Sequence, residues 1–170
     1  MTASEGQGEA FGIQEQGMSY EQQLKQLGIE LPGAPKPVAN YVPVVRVGDL
    51  LFLSGVLPSR DGRLIMTGKM GQALSIEQGI EAARVAVLNA LAIIRSEVES
   101  LDRVKRIVKM VGHIASAPGF TDQPQVLNGA SDLLVAVFGE AGRHARVAVG
   151  AAELPRQAPV EIELIVQITS

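Results

Sequence analysis

Apolar residues recur at helical spacing through the middle of the chain, from Ser75 to about residue 97. They are separated by three or four positions, which is the spacing of one buried helix face. Ser75 and Gln78 also fit a capping box, in which each side chain bonds the other residue's backbone amide. We therefore predict a long helix over residues 75–97. Its buried stripe consists of Ile80, Ala83, Val87, Ala90, Leu91 and Ile94.

Two shorter helices are predicted on either side of this one. The first begins at Ser19, which forms a second capping box with Gln22, and it ends before Gly28. The second follows Thr121, which can cap it, and its apolar run continues as far as Gly139 or Gly142. The first helix is expected to dock through Tyr20, Leu24 and Leu27.

The other patterned segments alternate apolar and polar residues, or are rich in β-branched residues, as β-strands are. Gly48-Asp49 and Asp61-Gly62 mark turns between the first of them. In the last segment every second residue from Val160 is apolar, whereas Glu161 and Glu163 point to the opposite face. We predict strands over residues 41–47, 50–57, 63–66, 105–116, 144–154 and 159–168.

This order of elements predicts an α+β fold, in which a mixed sheet carries two helices on one face. The other face of the sheet needs a cover, and in a chain of 170 residues a second subunit is the expected one. We expect residues 1–17 to form a flexible tail, because they are rich in Gly, Gln, Glu and Ser. Residues 18–40 hold the first helix and a proline-rich connector, and residues 41–170 form the main domain.

Composition removes several kinds of chemistry. The chain has no cysteine, so thiol nucleophiles, disulfides and thiolate metal sites are excluded. Its formal net charge of -3 provides no general attraction to nucleic acid. The first residues lack the features of a secretory signal and no apolar run approaches a membrane span, so we expect a cytoplasmic protein with no membrane partner.

Few residues remain as candidates for a site. His113 and His144 lack the spacing of a local metal site, and we expect neither a metal nor an organic cofactor. Four basic residues near residue 105 lack the interleaved aromatic residues that stack on bases, so a solvated strand edge is favoured over a nucleic-acid site. These residues are Arg103, Lys105, Arg106 and Lys109.

Arg146 stands out because it lies in a strand of small apolar residues. A guanidinium there needs a partner, since arginine does not lose its proton. Glu161 and Glu163 leave two interpretations open. One is a functional Arg–Glu site, and the other is an internal ion pair or simple exposure on an edge strand.

At this point the sequence resembles the Rid family, the YjgF-like reactive intermediate deaminases that are also known as L-PSP endoribonuclease-like proteins. The similarity lies in NYVPVVRVGDLLFLSGVLP and in HARVAVGAAELPRQAPVEIELIVQI, and it spans about residues 40–168. It implies a chorismate-mutase-like fold and a homotrimer with clefts between subunits. It also implies hydrolysis of 2-enamine and 2-imino acids to 2-keto acids and ammonia without a cofactor.

The resemblance also implies roles for particular residues. Arg146 would hold the substrate carboxylate, and Glu161 would position and deprotonate a water. Tyr41 would wall the pocket from a neighbouring subunit, and Ser54 and Gly55 would offer polar groups near the carboxylate. Asn128, on the third helix, corresponds to the family's pocket asparagine.

Three positions depart from the family pattern, and two other functions stay open. His144, Ala148 and Val56 stand where proline, cysteine and glutamine are common in the family. One alternative function is binding of small 2-keto or 2-imino acids without turnover. The other is a ribonuclease or translation inhibitor that acts on single-stranded RNA.

Overall fold

The computed structural model of the protein describes residues 17–35 and 39–170. The predicted tail lies outside the described residues except for Gly17, and so do residues 36–38 of the connector. The helices are α1 (Tyr20–Gln26), α2 (Ile76–Val98) and α3 (Gln123–Phe138). The strands are β1 (Val44–Val47), β2 (Leu50–Leu53), β3 (Ser59–Arg60), β4 (Arg63–Leu64), β5 (Val104–Ala115), β6 (Ala145–Ala151) and β7 (Val160–Ile168). None of the described helices is long and apolar enough to cross a membrane.

Five strands form one mixed sheet in the order β1-β2-β7-β5-β6. Only β5 and β6 run parallel, and the chain returns from one to the other through α3. The pairs β1–β2, β2–β7 and β5–β7 are antiparallel. The predicted mixed sheet is therefore confirmed, while β3 and β4 form a separate two-stranded hairpin.

The core lies between one face of this sheet and the helices α2 and α3. Along β7 every second side chain is buried, and α2 turns its apolar stripe to the same layer. Two helices on one face of the sheet is thus the observed arrangement. The largest side chains buried in the core include Leu51, Leu91, Ile94, Met110, Leu127, Leu134, Ile162 and Leu164.

The opposite face of the sheet has no helix packed on it within residues 17–35 and 39–170. Its apolar side chains are between 40% and 60% exposed on β1, β2 and β6. We refer to this surface as the open sheet face. Its exposed apolar residues are Val45, Val47, Phe52, Val147 and Val149.

Helix α1 docks much as predicted, with one difference. Its capping box between Ser19 and Gln22 is present, and Tyr20 stacks edge-on against Phe138 of α3 at a centroid distance of 4.7 Å. Leu24 is buried. The expectation for Leu27 was wrong, because the helix ends there and its side chain is 41% exposed.

The start of α3 also differs from the prediction. Asp122, not Thr121, is the N-cap residue, and its side chain makes no capping hydrogen bond. Pro124 does fall in the first turn.

Several strands are shorter than predicted. The first begins at Val44, where pairing with Leu53 starts. Pro43 before it has no N–H to donate, although its carbonyl accepts the Ser54 amide.

Candidate functional site

Four of the predicted site residues line one cavity of about 370 Å³. They are Tyr41, Ser54, Gly55 and Glu161, and we refer to this pocket as the glutamate cavity. Most of the other lining residues are apolar, and the charged residues of the whole cavity are Arg156 and Glu161. The other lining residues are Pro35, Pro43, Val56, Leu57, Ser59, Ile93, Pro155 and Arg156.

The end of β2 forms one wall of this cavity. The Ser54 amide donates to the Pro43 carbonyl at 2.9 Å, and its hydroxyl donates to the Val42 carbonyl at 2.7 Å. Two residues later, Val56 and Ile162 exchange backbone hydrogen bonds of 2.8 and 3.0 Å. These bonds fix the chain on both sides of Gly55 against β1 and the start of β7.

Gly55 allows the Glu161 carboxylate to lie directly against the backbone. A Cβ atom at position 55 would collide with Oε1 of Glu161, and the carboxylate would have to move. The glycine is therefore needed for close approach and not for an unusual backbone angle. Ser54 and Gly55 belong to this cavity because the fold brings Glu161 against Gly55.

Glu161 is the residue of the cavity whose protonation is perturbed. Its side chain is half-buried, and burial raises the pKa of its carboxyl above the usual value. The charge of His113 on the neighbouring strand opposes this, whereas that of Glu163 adds to it. A carboxylate with a raised pKa is suited to accept a proton and return it.

Asn89 supports the cavity wall from behind and was not identified from the sequence as a site residue. It lies within the apolar stripe of α2 and is 3% exposed. Its amide nitrogen donates to the carbonyls of Leu57 and Ser59 at 3.0 and 2.9 Å. An asparagine on a buried helix face is the signal that could have marked it, because such a group needs hydrogen-bond partners.

The other predicted residues, Arg146 and Asn128, form a second group on the helix side of the sheet. Nη1 of Arg146 donates to Oδ1 of Asn128 at 2.9 Å and to Oγ of Ser131 at 3.1 Å. Among the described residues, no carboxylate lies within ion-pair distance of Arg146. The internal Arg–Glu pair left open by the sequence is therefore not formed within these residues.

His144 joins the same group through Ser131. Its Nε2 lies 3.1 Å from the serine hydroxyl, and its Nδ1 lies 2.6 Å from the carbonyl oxygen of Gly142. Burial lowers the pKa of His144; the Gly142 contact raises it and the nearby charge of Arg146 lowers it again. We refer to Asn128, Ser131, His144 and Arg146 as the arginine cluster. Sequence reasoning missed Ser131, which lies in a helix without any motif.

The glutamate cavity and the arginine cluster do not meet within one chain. Arg146 is aligned with Met110 on β5, and Glu161 is aligned with His113. Two strand spacings and three residues along the strand separate the two backbones by about 14 Å. Their side chains also leave opposite faces of the sheet, since Arg146 contacts α3 whereas Glu161 alternates with the core residues of β7.

The remaining polar candidates do not form a site in one subunit. His113 pairs with Glu163 at 2.9 Å on the open sheet face, whereas His144 lies on the helix side. Arg103 and Arg106 donate to the backbone carbonyls of Thr169 and Arg143. Within residues 17–35 and 39–170, no three His, Asp or Glu side chains are grouped so that they could share a metal ion.

The mixed sheet with two helices on one face is the chorismate-mutase-like class of α+β fold. The sequence model of the family described as "YjgF/chorismate mutase-like, putative endoribonuclease" matches residues 21–167. The chain therefore belongs to this family, which includes the Rid proteins.

Individual relatives agree with this assignment. Protein TCP17 of Trypanosoma cruzi is 46% identical over 86% of this chain and 92% of its own length. A 2-iminobutanoate/2-iminopropanoate deaminase of Dermatophagoides farinae is 28% identical over 82% of this chain and 94% of its own. The crystal structure of Atu1372 from Agrobacterium tumefaciens, a protein of unknown function, is 43% identical, with a TM-score of 0.82 over 88% of this chain and 92% of that one.

Proposed function

We propose that this protein hydrolyses 2-imino acids, and their 2-enamine tautomers, to 2-keto acids and ammonia. The observation that carries the proposal is the pair of half-sites. One is a half-buried glutamate in an open cavity, and the other is an arginine whose Nε and Nη2 bond no described residue. The deaminase of Dermatophagoides farinae supports the same reaction class.

The residue types suit each step of this reaction. The fork of Arg146 would hold the substrate carboxylate. Glu161 would accept a proton from water as the water oxygen attacks C2, and it would then pass that proton to the nitrogen. The hydroxyl of the resulting carbinolamine then gives its proton through Glu161 to the nitrogen as the C–N bond breaks, so that ammonia leaves with the bonding electrons and the oxygen becomes that of the 2-keto acid. No covalent intermediate with the protein is needed, because the imine carbon is already electrophilic.

A site of this kind requires two subunits. Arg146 and Glu161 lie on different faces of one sheet, so a substrate of a few carbon atoms does not reach both within a chain. The open sheet face supplies an apolar surface for assembly. We propose a homotrimer with three clefts, each formed by the glutamate cavity of one subunit and the arginine cluster of the next.

The lining of the glutamate cavity favours substrates with an aliphatic side chain. Val56, Leu57 and Ile93 form an apolar wall, which would receive such a side chain with little desolvation cost. Ser54 and Tyr41 would add hydrogen bonds near the reacting carbon. Imino acids derived from alanine, 2-aminobutyrate and leucine are therefore the first substrates to test.

The first test compares single variants in a coupled assay that generates the imine and follows the keto acid. Arg146→Ala is expected to lower the rate by about 10- to 100-fold, because a charged clamp is worth roughly 1.5–3 kcal/mol. Arg146→Lys keeps the charge without the planar fork and should recover only part of the loss. Wild-type protein without any effect on several imines would overturn the proposed reaction.

The second test asks whether each cleft is shared. Arg146→Ala and Glu161→Gln subunits with different tags are coexpressed, and mixed oligomers are isolated on both tags. In a mixed trimer with shared clefts, one cleft combines an intact Arg146 with an intact Glu161, so about a third of the wild-type rate should return. If the two residues act from the same subunit, no cleft is intact and the mixed oligomers stay inactive.

The same measurements separate the alternative functions. Tight binding of a keto acid by calorimetry, with no turnover of any imine, would favour a binding protein. Cleavage of single-stranded RNA by the wild-type protein that is absent both from Arg146→Ala and from a mock preparation would favour the ribonuclease. The description of the matching family includes an endoribonuclease, so RNA cleavage is tested as well.

A further inference from the structure

Only one nitrogen of the Arg146 guanidinium donates hydrogen bonds to described residues. Both hydrogens of Nη1 are used within the chain, one on Asn128 and one on Ser131. The structure shows no such bond from Nε or Nη2 to a described residue. These two nitrogens form the side of the guanidinium that binds a carboxylate bidentately. Helix α3 therefore restrains one side of the guanidinium and leaves the other side to a ligand.

The direction of each hydrogen in this cluster follows from the chemistry of its neighbours. The Gly142 carbonyl only accepts, so Nδ1 of His144 carries a hydrogen and donates it across 2.6 Å. Neutral imidazole has one N–H, which leaves Nε2 as an acceptor for the Ser131 hydroxyl at 3.1 Å. A lone pair of the serine oxygen is then directed at Nη1 of Arg146.

We propose that His144 and Ser131 are positioning residues for Arg146. His144 fixes the Ser131 hydroxyl, and the hydroxyl orients the guanidinium so that Nε and Nη2 face the substrate carboxylate. The inference rests on the proposed function for the role of Arg146 and adds two residues to it. It also assigns a role to the histidine that stands at a position where proline is common in the family.

Because His144 is half-buried, its imidazole ring is held in the neutral form that this arrangement requires. Burial and the charge of Arg146 disfavour a proton on Nε2. Protonation would place an N–H against the serine hydroxyl and a cation beside the guanidinium. At neutral pH the ring is therefore uncharged, and its single hydrogen stays on Nδ1.

The test measures the equilibrium binding of 2-oxobutanoate, the keto-acid product, by calorimetry. Ser131→Ala and His144→Phe should each raise Kd by about 10-fold, because each removes a hydrogen bond that supports a charged donor. The double variant should bind no more weakly than Ser131→Ala alone, since His144 acts through the serine. His144→Gln retains an acceptor for the hydroxyl and should restore most of the affinity. Ser96→Ala, at an exposed serine of α2, is the matched control and should bind normally.

A second measurement does not depend on the ligand. Long-range ¹H–¹⁵N spectra of the histidine rings report the tautomer, and the His144→Gln spectrum assigns the signals. We expect the neutral Nδ1–H form for His144 at pH 7.5. In Ser131→Ala the Nε2 signal should shift, because that nitrogen loses its donor.

The outcomes separate this inference from the proposed function. If Arg146→Ala binds 2-oxobutanoate as tightly as wild type, the proposed function is overturned. If Arg146→Ala loses binding while Ser131→Ala and His144→Phe retain it, only the positioning role is overturned. Additive losses in the double variant, no rescue by His144→Gln, or a protonated or Nε2–H ring at pH 7.5 would also overturn it.

Discussion

At the scale of single residues, the carboxylate of Glu161 is held in a position that lowers stability at neutral pH. Its carboxylate lies against Gly55 in a half-buried position, and burial raises its pKa. The folded protein thus favours the protonated form more than the unfolded chain does. Stability associated with Glu161 is present below its ordinary pKa and is lost as the pH rises through the raised pKa.

Glu161→Gln should therefore raise Tm at pH 7.5 and have a smaller effect at pH 4.5, because glutamine carries no charge to desolvate. The same change should lower imine hydrolysis by about 100-fold or more, since it removes a proton acceptor. Scanning calorimetry and the coupled assay measure the two effects.

The control for this prediction is Glu97→Gln, at an exposed glutamate on α2. It should change neither Tm nor the rate. As the pH is lowered, the wild-type rate should also fall, with a midpoint above pH 4.5, which is the ordinary pKa of a glutamate carboxyl. A Glu161→Gln protein that is less stable than wild type at pH 7.5 would contradict the assigned cause.

At the scale of elements, α2 is both the core helix and the support of the cavity wall. Its apolar stripe packs on the sheet, and Asn89 within that stripe holds the segment that contains Leu57 and Ser59. This segment leads from the Val56–Ile162 bridge to β3, which begins at Ser59. The Asn89 amide therefore ties the start of β3 to α2.

Asn89→Ala should lower the free energy of unfolding by about 2–3 kcal/mol, because it removes a buried amide that donates to two carbonyls. Urea denaturation measures this change. Gln78→Ala, at the N-terminal capping box of the same helix, should cost less, about 0.5–1 kcal/mol. Equal losses in the two variants would mean that Asn89 contributes little beyond helix formation.

At the scale of the whole molecule, the proposed shared cleft depends on the open sheet face. It presents exposed valine and phenylalanine side chains beside the hydrogen-bonded pair of His113 and Glu163. A monomer would leave this surface in water, and the arginine cluster would have no partner cavity. Assembly and activity should therefore be lost together.

Val149→Asp tests this link, because it places a charge on the open sheet face. Light scattering should report a monomer near 18.0 kDa, and imine hydrolysis should disappear, while circular dichroism stays unchanged. Leu27→Asp is the matched control, since both side chains are 41% exposed but Leu27 is the C-cap residue of α1, away from the open sheet face. A monomeric Val149→Asp protein with full activity would contradict the shared cleft.

The sequence by itself determined the helices and most of the strands, and it predicted most of the candidate site residues. Helical spacing and capping boxes are local, so Ser75 and Gln78 mark the start of α2 without any knowledge of its surroundings. Alternation along β7 likewise separates Glu161 from the core residues. The family resemblance identified Arg146, and the family assignment is confirmed.

Only the tertiary structure decided how these residues are grouped. Asn89 bonds residues 30 and 32 positions away, and Ser131 bonds His144 across 13 positions, so no local pattern reveals either contact. The sequence also led us to expect an anionic partner for Arg146. The structure instead places neutral oxygens on one side of its guanidinium, because β6 lies at the sheet edge, where water can solvate the charge. The separation of Arg146 from Glu161 follows from strand order, which is set by long-range pairing and not by spacing along the chain.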